Sequence, residues 1–499
     1  MSSPFNKQKY KMLLEGLEIS EILLSEVFKK ENHTQRIDSE YFKKEYLKTT
    51  EIIEKQQFDI LSNIGQIKGG KRLPLGENFS EEGVPYIRAQ DIKNGFIDYS
   101  NSPKISLKLH KVLQRYQTKN NDVLITNVGN SIGDVGIVKF DLDKCNLTEN
   151  AVKVISEKVL PEFLFIFLLS KYGNYQISRE TVGTAQPKLA LERINLFKVP
   201  LLSLEFQNKI KELVNNAYSK KEQSQSLYCK AEELLVEALG IDSRGEKFFA
   251  PTNVDSAEYS SRGTACRAPT PTNNDNNTTT TTNHSIKNFS ESFLATGRLD
   301  AEYYQPKYEE MEKYLSKFET VRLNKIVKIK KSIEPGSDAY QDTGIPFIRV
   351  SNLSKFGLNE TDIYLDKTQY GNLDLLPKKD TILLSKDGSV GIAYKIEKDL
   401  EIITSGALLH LTVQNTDFLP DYLTLVLNSN IVKMQAERDA GGSIIQHWKP
   451  SEIEQVIIPK LPMKIQQEIA DLIQESFSLR SESERLLEEA KEIVEREVG

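Results

Sequence analysis

The 499-residue sequence lacks the signals of a membrane or secreted protein. No apolar run approaches the roughly 18 residues that a membrane-spanning helix needs, and the longest candidate, Phe163–Leu169, is far too short. The basic N-terminus is not followed by an apolar stretch and a cleavage site, so no signal peptide is predicted. The three cysteines, Cys145, Cys229 and Cys266, form no CxxC pair and have no spacing of a disulfide framework. A reducing, cytoplasmic setting is therefore expected.

Recognisable catalytic and metal-binding patterns are also missing. The five histidines are scattered, and there is no HExxH motif, Cys/His cluster or GxSxG elbow. We find neither a nuclease-like PD…ExK grouping nor the Asn/Asp-Pro-Pro-aromatic tetrapeptide of amino-methyltransferases. Catalysis by this chain alone is therefore not expected, and neither a cofactor nor a metal is predicted in it.

One segment imitates a phosphate-binding loop. Gly65–Lys71 fits GxxxxGK, but Arg72 stands where a Ser or Thr hydroxyl would hold Mg²⁺. The aligned positions in the second half of the chain are Val327, Ser332 and Ile333, which do not repeat the pattern. We interpret Lys68–Arg72 as a basic turn, and an enzyme that uses the phosphate-loop-like segment to bind a nucleotide is an alternative hypothesis.

The composition is that of an ordinary soluble protein, with 39% hydrophobic and 27% charged residues. The length favours several domains over a single core. A net charge of −6 does not by itself indicate a nucleic-acid binder. Much of the acid, however, lies in the last predicted helix, which leaves the first globular region mildly basic and gives weak support for a phosphate-binding face.

Several segments of the chain occur twice. The R-x-D-x-E-Y pattern of Arg36–Tyr46 returns at Arg298–Tyr308, and the G-[VI]-P-[YF]-I-R strand of Gly83–Arg88 returns at Gly344–Arg349. Short β-branched runs separated by glycines predict strands joined by tight turns. Because an internal repeat decides the whole architecture, we predict two mixed α/β domains, each rich in strands.

Each of these domains leads into a long helix. The passages Gly183–Ile210 and Gly441–Ile469 both hold a polar loop, a strand that ends in Pro, and the start of a helix. The helices Glu205–Gly240 and Ile465–Val498 carry near-heptad apolar stripes, which predict that the two helices bury each other's seam as a coiled coil. A Thr-, Asn- and Pro-rich stretch between the halves is too polar to fold and is predicted to be a linker.

The predicted organisation has six parts. They are an N-terminal helical segment (1–55), a first α/β domain (56–204), a central helix (205–245), a flexible linker (246–290), a second α/β domain with its leading helix (291–462), and a C-terminal helix (463–499).

Polar and basic residues gather in turns at matching places of the two halves. Arg, Asn and Gln can read base edges through paired hydrogen bonds, and Lys meets phosphate as a point charge. For any one residue, an ordinary surface or turn-forming role is the simpler interpretation. The hydrophobic frames agree whereas the turns differ, with His447 and Trp448 in place of Pro187 and Lys188, so two different reading surfaces are predicted. The candidate DNA-contacting residues are Lys68, Lys71, Arg72, Arg88, Gln90, Asn127, Asn130, Gln186 and Lys188 in the first half, and Lys330, Lys331, Arg349, Asn352, Lys386, Gln446, Trp448 and Lys449 in the second.

In their order and spacing, the repeated segments resemble the specificity subunit of a type I restriction–modification system. The resemblance covers nearly the whole chain outside the linker, and it includes the entry into each long helix at Gln207 and Gln467. It implies that the α/β domains are target recognition domains, each reading one half of a bipartite, asymmetric DNA site. It also implies that the long helices form an antiparallel coiled coil that separates the domains and gives the chain a pseudo-twofold internal repeat.

The same resemblance implies a non-catalytic role in a prokaryotic, cytoplasmic system of phage defence. Two methyltransferase subunits would dock on the helices and bring S-adenosylmethionine to methylate adenine. Two restriction subunits, in complexes that also cleave DNA, would bring ATP and Mg²⁺. Double-stranded DNA is then the expected ligand and no membrane is involved. The alternative is a repeat-based scaffold that binds other proteins and no nucleic acid.

Overall fold

The computed structural model divides into two units. Unit 1 comprises Met1–Glu222 and Arg480–Gly499, and unit 2 comprises Gln223–Leu479. Most of the predicted linker 246–290, and most of the predicted N-terminal helical stretch before residue 36, lie outside the described residues. The described residues are 8, 10, 12, 22–27, 36–99, 102–129, 131–139, 145–183, 187–240, 286–371, 374–440 and 446–499.

A four-stranded antiparallel sheet forms the centre of unit 1. The strands of this unit are β1 (Phe58–Ile60), β2 (Gly65–Gly69), β3 (Val84–Ile87), β4 (Ile92–Lys93), β5 (Phe96–Ile97), β6 (Lys104–Ile105), β7 (Val123–Thr126), β8 (Val135–Ile137), β9 (Asn146–Leu147), β10 (Ala151–Ser156) and β11 (Lys198–Pro200). The central sheet has the order β2-β10-β7-β8. A second sheet has the order β6-β3-β9, in which β3 and β9 run parallel.

Helices cover this sheet and complete the core of unit 1. They are α1 (Leu24–Val27), α2 (Lys44–Glu54), α3 (Leu61–Ile64), α4 (Leu107–Val112), α5 (Pro161–Leu169), α6 (Lys171–Glu180) and α7 (Leu191–Ile194). Helix α5 begins with a proline, which suits the first helical turn. It is apolar on all sides, and Phe163–Leu168 are fully buried in the core together with β7, β8 and β10. A helix that is hydrophobic all round belongs in an interior, as found here.

Unit 2 repeats the strand order of unit 1. Its strands are β12 (Thr320–Arg322), β13 (Val327–Lys331), β14 (Ile345–Ile348), β15 (Leu353–Ser354), β16 (Gly357–Leu358), β17 (Tyr364–Leu365), β18 (Ile382–Ser385), β19 (Ala393–Lys395), β20 (Ile403–Thr404), β21 (Leu408–Val413) and β22 (Ile457–Pro459). Its central sheet has the order β13-β21-β18-β19, and its second sheet has the order β17-β14-β20 with β14 parallel to β20. Both units therefore mix helices and strands, as predicted.

The shorter helices of unit 2 and the two long helices complete the chain. The shorter ones are α9 (Phe293–Thr296), α10 (Pro306–Leu315), α11 (Lys367–Tyr370), α12 (Pro420–Leu427), α13 (Asn430–Asp439) and α14 (Pro450–Ile453). The long helices are α8 (Leu204–Ala238) and α15 (Met463–Val498), and each contributes one part to unit 1 and one part to unit 2. Across the described residues, none of the helices has both the length and the apolar character to cross a membrane.

The apolar stripes of the long helices are part of the unit cores. In unit 1, Val214 of α8 and Val494 of α15 belong to the same buried cluster as helix α5. In unit 2, Leu235 of α8 and Ile473 of α15 are buried with the central sheet. The stripes therefore pack against the central sheets as well as against the other long helix, which leaves less free apolar surface than the sequence alone suggests.

The duplicated R-x-D-x-E-Y segment forms a clasp in each unit. The Arg36 guanidinium pairs with Asp38 and donates to the carbonyl of Arg179 at 2.9 Å, and it lies over the ring of Tyr41. Arg298 makes the equivalent contacts in unit 2, with the carbonyl of Asp439 as its acceptor at 2.9 Å. The segment therefore ties the leading helix of each unit to a helix that follows the sheet, which is a packing role.

Candidate functional site

In unit 1, two predicted site segments meet beside the end of β7. The backbone N–H of Leu189 donates to the carbonyl of Asn127 at 2.9 Å, and that of Gly129 donates to the carbonyl of Pro187 at 3.3 Å. These bonds bring Asn127 and the exposed Lys188 onto one turn. Two predicted contacts of the same region, Asn130 and Gln186, lie outside the described residues.

The same two bonds close the corresponding turn of unit 2. The backbone N–H of Trp448 donates to the carbonyl of Lys386 at 2.8 Å, and that of Gly388 donates to the carbonyl of Gln446 at 2.9 Å. Lys386 is half-buried here, whereas Gln446 and Lys449 are exposed. The predicted pairing of these segments across the two halves is therefore found as a shared backbone frame.

The frame corrects the sequence alignment by one residue. Because the bonds match, His447 takes the place of Lys188, and Trp448 takes the place of Leu189. The alignment that set His447 and Trp448 against Pro187 and Lys188 is wrong. Trp448 is only 1% exposed and lies in the unit 2 core, just as Leu189 is buried in the core of unit 1. Its ring packs the interior, so it is not displayed as a surface for stacking on a base.

The two turns differ in the side chains they display. In unit 2, Asp387 forms an ion pair with Lys386, and its Oδ1 also lies within hydrogen-bonding distance, 2.9 Å, of His447 Nδ1. In unit 1, the position of Asp387 is held by Val128, and the buried Oδ1 of Asn127 has no hydrogen-bond partner. The turn of unit 2 therefore holds an internal ion pair, whereas the turn of unit 1 holds an exposed lysine and an unused acceptor. Sequence reasoning missed His447 and Asp387 as a pair, because only the backbone bridge between them reveals it.

A second pair of predicted residues follows the strand at the centre of each smaller sheet. Arg88 and Arg349 come directly after β3 and β14, and each opens a short 3-10 turn, Ala89–Asp91 or Val350–Asn352. Gln90 is exposed on the first of these turns, and its amide lies 3.1 Å from both terminal nitrogens of Arg88 when its oxygen faces them. Arg349 and Asn352 are brought together in the second turn.

The predicted basic turn, Lys68–Arg72, starts within strand β2, and its last three residues follow that strand. Gly65–Gly69 pairs residue by residue with β10, which places Lys68 opposite Lys153. A Cβ atom on Gly70 would meet the carbonyl oxygen of Thr148 at 1.9 Å, so this glycine serves the close approach of two backbones. The segment therefore offers no free loop to cradle a phosphate, and the nucleotide-binding alternative loses its basis.

The remaining basic candidates lie near that strand and its counterpart. Lys71 is exposed, and Arg72 pairs with Glu149 at 2.7 Å. In unit 2, Lys330 pairs with Asp374 at 2.9 Å, and Lys331 is exposed. Lys71 and Lys331 are thus displayed on the surface, whereas Arg72 and Lys330 already have a carboxylate partner. Among the residues that the structure describes, no group of three or more His, Cys, Asp or Glu side chains could hold a metal ion.

Comparison with known proteins gives two matches of one family profile. The profile of the "Type I restriction modification DNA specificity domain" matches residues 53–227 and 315–492, which together are more than half of the chain. This chain belongs to the type I restriction–modification DNA specificity family. Each match to the specificity domain includes one of the two four-stranded central sheets and one arginine turn.

Individual relatives agree with this assignment over part of their length. The specificity subunit of the type I restriction enzyme EcoBI from Escherichia coli is 30% identical over 141 residues, which are 28% of this chain and 29% of that protein. The MjaVIII specificity subunit from Methanocaldococcus jannaschii is 28% identical over 170 residues, 32% of this chain and 39% of that protein. The chain thus matches well under two thirds of the length of these relatives. A crystal structure of the specificity subunit from M. genitalium covers 89% of this chain and 94% of its own at 13% identity, with a TM-score of 0.37.

Proposed function

We propose that this chain is the non-catalytic DNA-recognition subunit of a type I restriction–modification complex, and that it reads a bipartite, asymmetric site. The observation that carries the proposal is the shared turn frame with different side chains. Both units close the turn with the same two backbone bonds, yet Asn127 and Lys188 stand in one unit where Lys386 and His447 stand in the other. A repeated scaffold with divergent polar turns fits two half-sites of different sequence.

The long helices are proposed to act as the arms that set the gap between the half-sites. The Ser483 hydroxyl donates to the carbonyl of Ala217 in unit 1, and the Ser476 hydroxyl donates to that of Ser224 in unit 2. Within unit 1, Lys220 of α8 also pairs with Glu482 of α15 at 2.8 Å, so rising numbers on α8 meet falling numbers on α15, as an antiparallel pair requires. These small buried serines support the proposed coiled coil and the pseudo-twofold repeat.

The turn that follows each of Arg88 and Arg349 is tied to a long helix through a hairpin. In unit 1 the hairpin β4–β5 follows the Arg88 turn, and the Tyr218 hydroxyl of α8 donates to the carbonyl of Gly95 at 2.7 Å. In unit 2 the hairpin β15–β16 follows the Arg349 turn, and Lys355 pairs with Glu232 of α8 at 2.8 Å. A reader fixed on its arm makes the half-site spacing a geometric property of the chain.

The proposed partners are double-stranded DNA, two methyltransferase subunits and, in a cleaving complex, two restriction subunits. S-adenosylmethionine, ATP and Mg²⁺ are proposed to reside on those partners, in the prokaryotic cytoplasm. The exposed polar faces of α8 and α15 are the proposed docking surfaces, since their apolar stripes are largely used inside the units.

Selection from random duplex pools tests the proposal, with the chain alone and together with a methyltransferase partner. We expect enrichment of two different short motifs separated by a fixed gap. Deleting one heptad from the middle of α8, with a matching deletion in α15, should change the gap or abolish the enrichment. No enriched motif under either condition would contradict DNA recognition and favour a protein-binding scaffold, and an unchanged gap would contradict the role of the arms.

A further inference from the structure

The two arginines that follow the central strands of the smaller sheets have the same backbone setting. The backbone N–H of Arg88 donates to Asp91 Oδ2 at 2.8 Å, and the backbone N–H of Arg349 donates to Asn352 Oδ1 at 3.0 Å. The side chain three residues after the arginine therefore closes the turn in both units. Only the chemistry of that closing residue differs.

In unit 1 the closing carboxylate also holds the arginine side chain. Asp91 accepts from Arg88 Nε at 3.1 Å and from Nη2 at 2.9 Å, and it accepts from the Ser102 hydroxyl at 2.6 Å. A carboxylate has enough lone pairs for all these bonds. The Arg88 guanidinium is thus already paired with two oxygens of one anion inside its own unit.

In unit 2 the closing amide leaves the arginine side chain without such a partner. The Asn352 oxygen takes the backbone N–H of Arg349, and its amino group donates to the carbonyl of Glu360 at 2.8 Å. The Arg349 Nε is buried and has no hydrogen-bond partner among the described residues. The nearest carboxylate, that of Asp362, lies 4.0 Å from Nη2 and is 91% exposed.

A second donor without a partner lies beside this arginine. Strands β14 and β20 are parallel neighbours, and the residue after β20 is Ser405, whose backbone N–H donates to the carbonyl of Ile348 at 2.8 Å. Ser405 is 7% exposed, and its hydroxyl oxygen has no hydrogen-bond partner among the described residues. The Nε of Arg349 and the hydroxyl of Ser405, neither with a hydrogen-bond partner among the described residues, therefore belong to residues at the carboxyl ends of two adjacent strands.

We propose that Arg349 and Ser405 bind one phosphate group of the DNA backbone. The phosphate would pair with the Arg349 guanidinium as the Asp91 carboxylate pairs with that of Arg88 in unit 1. The inference rests on the proposed function. A phosphate offers two oxygens in the geometry that a guanidinium fork matches. A backbone phosphate is favoured over a base edge because arginine occupies this position in both units, although their polar turns differ. Asn352 is the positioning residue, since it closes the turn without occupying the guanidinium.

The first test measures binding of the full chain to a labelled duplex of random sequence by fluorescence anisotropy over a range of salt concentrations. Arg349→Ala should weaken binding about tenfold at low salt, as expected for a lost hydrogen bond to a charged group. It should also make the slope of log affinity against log salt shallower by about one. Ser405→Ala should weaken binding by a smaller factor without changing the slope. Arg485→Ala, on the exposed face of α15, is the charge-matched control and should change neither.

The reciprocal variant tests the idea without removing any contact of Arg349. Asp91→Asn keeps an oxygen for the Arg88 backbone N–H but removes the negative charge that pairs with the Arg88 guanidinium, so affinity should rise and the salt slope should steepen. Arg349→Lys should keep the slope while losing part of the affinity. Hydrogen exchange of each variant verifies that both units remain folded.

The outcomes separate the inference from the proposed function. If the unaltered chain binds neither random nor selected duplexes, the proposed function fails and the phosphate site fails with it. If the unaltered chain binds but Arg349→Ala leaves affinity and slope unchanged, the site is refuted while the function stands. A loss of selectivity at one base pair with an unchanged slope also refutes it, because the arginine would then read a base.

Discussion

The two units keep the same strand pairing but fill one buried position with different chemistry. On the central strand of each sheet, Lys153 lies opposite Lys68 in unit 1, and His410 lies opposite Lys330 in unit 2. Lys153 forms an ion pair with Asp122 at 3.3 Å, whereas His410 Nε2 lies 2.8 Å from the hydroxyl of a threonine at the end of β20. A buried polar group must find a partner, but the partner need not be charged. The repeat therefore conserves backbone pairing more closely than side-chain chemistry.

Another buried ion pair is present in both units, but its lysine comes from a different position in each. Glu162 of α5 pairs with Lys139 at 2.6 Å, and Asp421 of α12 pairs with Lys395 at 2.8 Å. The carboxylates occupy the same place in their helices, directly after a first-turn proline. By strand pairing, Lys395 corresponds to Ile137, two residues before Lys139. Each unit thus meets one buried acid with a lysine from a different site.

The largest expected effect comes from removing these acids. Glu162→Ala leaves the buried Lys139 charge without its carboxylate, which should destabilise unit 1 by about 3–5 kcal/mol. Asp421→Ala should cost less, because Lys395 keeps Glu397 at 3.3 Å. Hydrogen exchange, read from peptides of each unit, measures both losses in the full chain. Glu205→Ala on the exposed start of α8 is the control, and equal losses for the two acids would contradict the comparison.

The second-largest expected effect is a dependence of the stability of unit 2 on pH. Burial, with a smaller effect of Lys330, lowers the pKa of His410 from 6.5 to about 4. Between these values the unfolded chain binds a proton that the folded unit does not bind, so stability falls as the pH drops from about 6.5 to about 4. The loss should total about 3 kcal/mol. His410→Gln should remove this part of the pH dependence in exchange measurements, and an unchanged pH profile would show that His410 does not titrate there.

The buried tryptophan separates packing from DNA contact. Trp448→Leu installs the residue type that unit 1 has at the matching position, Leu189, in a cavity shaped for a larger ring. Unit 2 should lose about 2 kcal/mol, less than for truncation of a large aromatic to alanine. Affinity for a random duplex should stay the same while the unit is folded. A drop in affinity with unchanged exchange protection would restore Trp448 as a DNA contact.

The sequence predicts those elements whose ends carry strong local signals. Helix α5, Pro161–Leu169, follows such signals, because a proline starts it and the apolar run Phe163–Leu169 fills the rest of it. The strand within Gly83–Arg88 is found at Val84–Ile87, after a glycine with φ of +135°. Here local chemistry and the tertiary structure agree, so reading the chain residue by residue succeeds.

Alignment of the repeats across gaps is where sequence reasoning fails. Gln207 accepts from the Leu160 backbone N–H at 2.7 Å. In unit 2 the residue that accepts the equivalent bond, from the Leu419 backbone N–H, is Gln466 and not the aligned Gln467. Two adjacent glutamines look alike in sequence, and only the bond distinguishes them. The one-residue error at Trp448 has the same origin, since shifting the alignment by one position assigns a buried residue to an exposed position. The double role of Asp91 likewise requires the turn geometry.

The smallest expected effect concerns an acid that unit 2 lacks. Burial raises the pKa of Asp134, next to β8, to about 6, and Lys93 opposes this rise. By strand pairing, unit 2 has Ile392 at this position. The folded unit binds a proton that the unfolded chain releases between about pH 4 and pH 6, so stability is lost as the pH rises through that window. Asp134 is only partly buried, and solvent screening reduces the penalty at pH 7.5 to about 1 kcal/mol.

Asp134→Asn should therefore stabilise unit 1 by that amount at pH 7.5 and give no gain at pH 4, as judged by hydrogen exchange of the β7–β8 peptides. Asp98→Asn, an exposed acid of the same unit, is the control. The Thr126 backbone N–H donates to the Asp134 carbonyl at 2.9 Å, so the acid is one bond away from the turn that begins at Asn127. A destabilising acid retained beside a proposed reading turn argues for a role in that turn. An equal gain at both pH values would remove that argument, because the effect would then come from packing and not from charge.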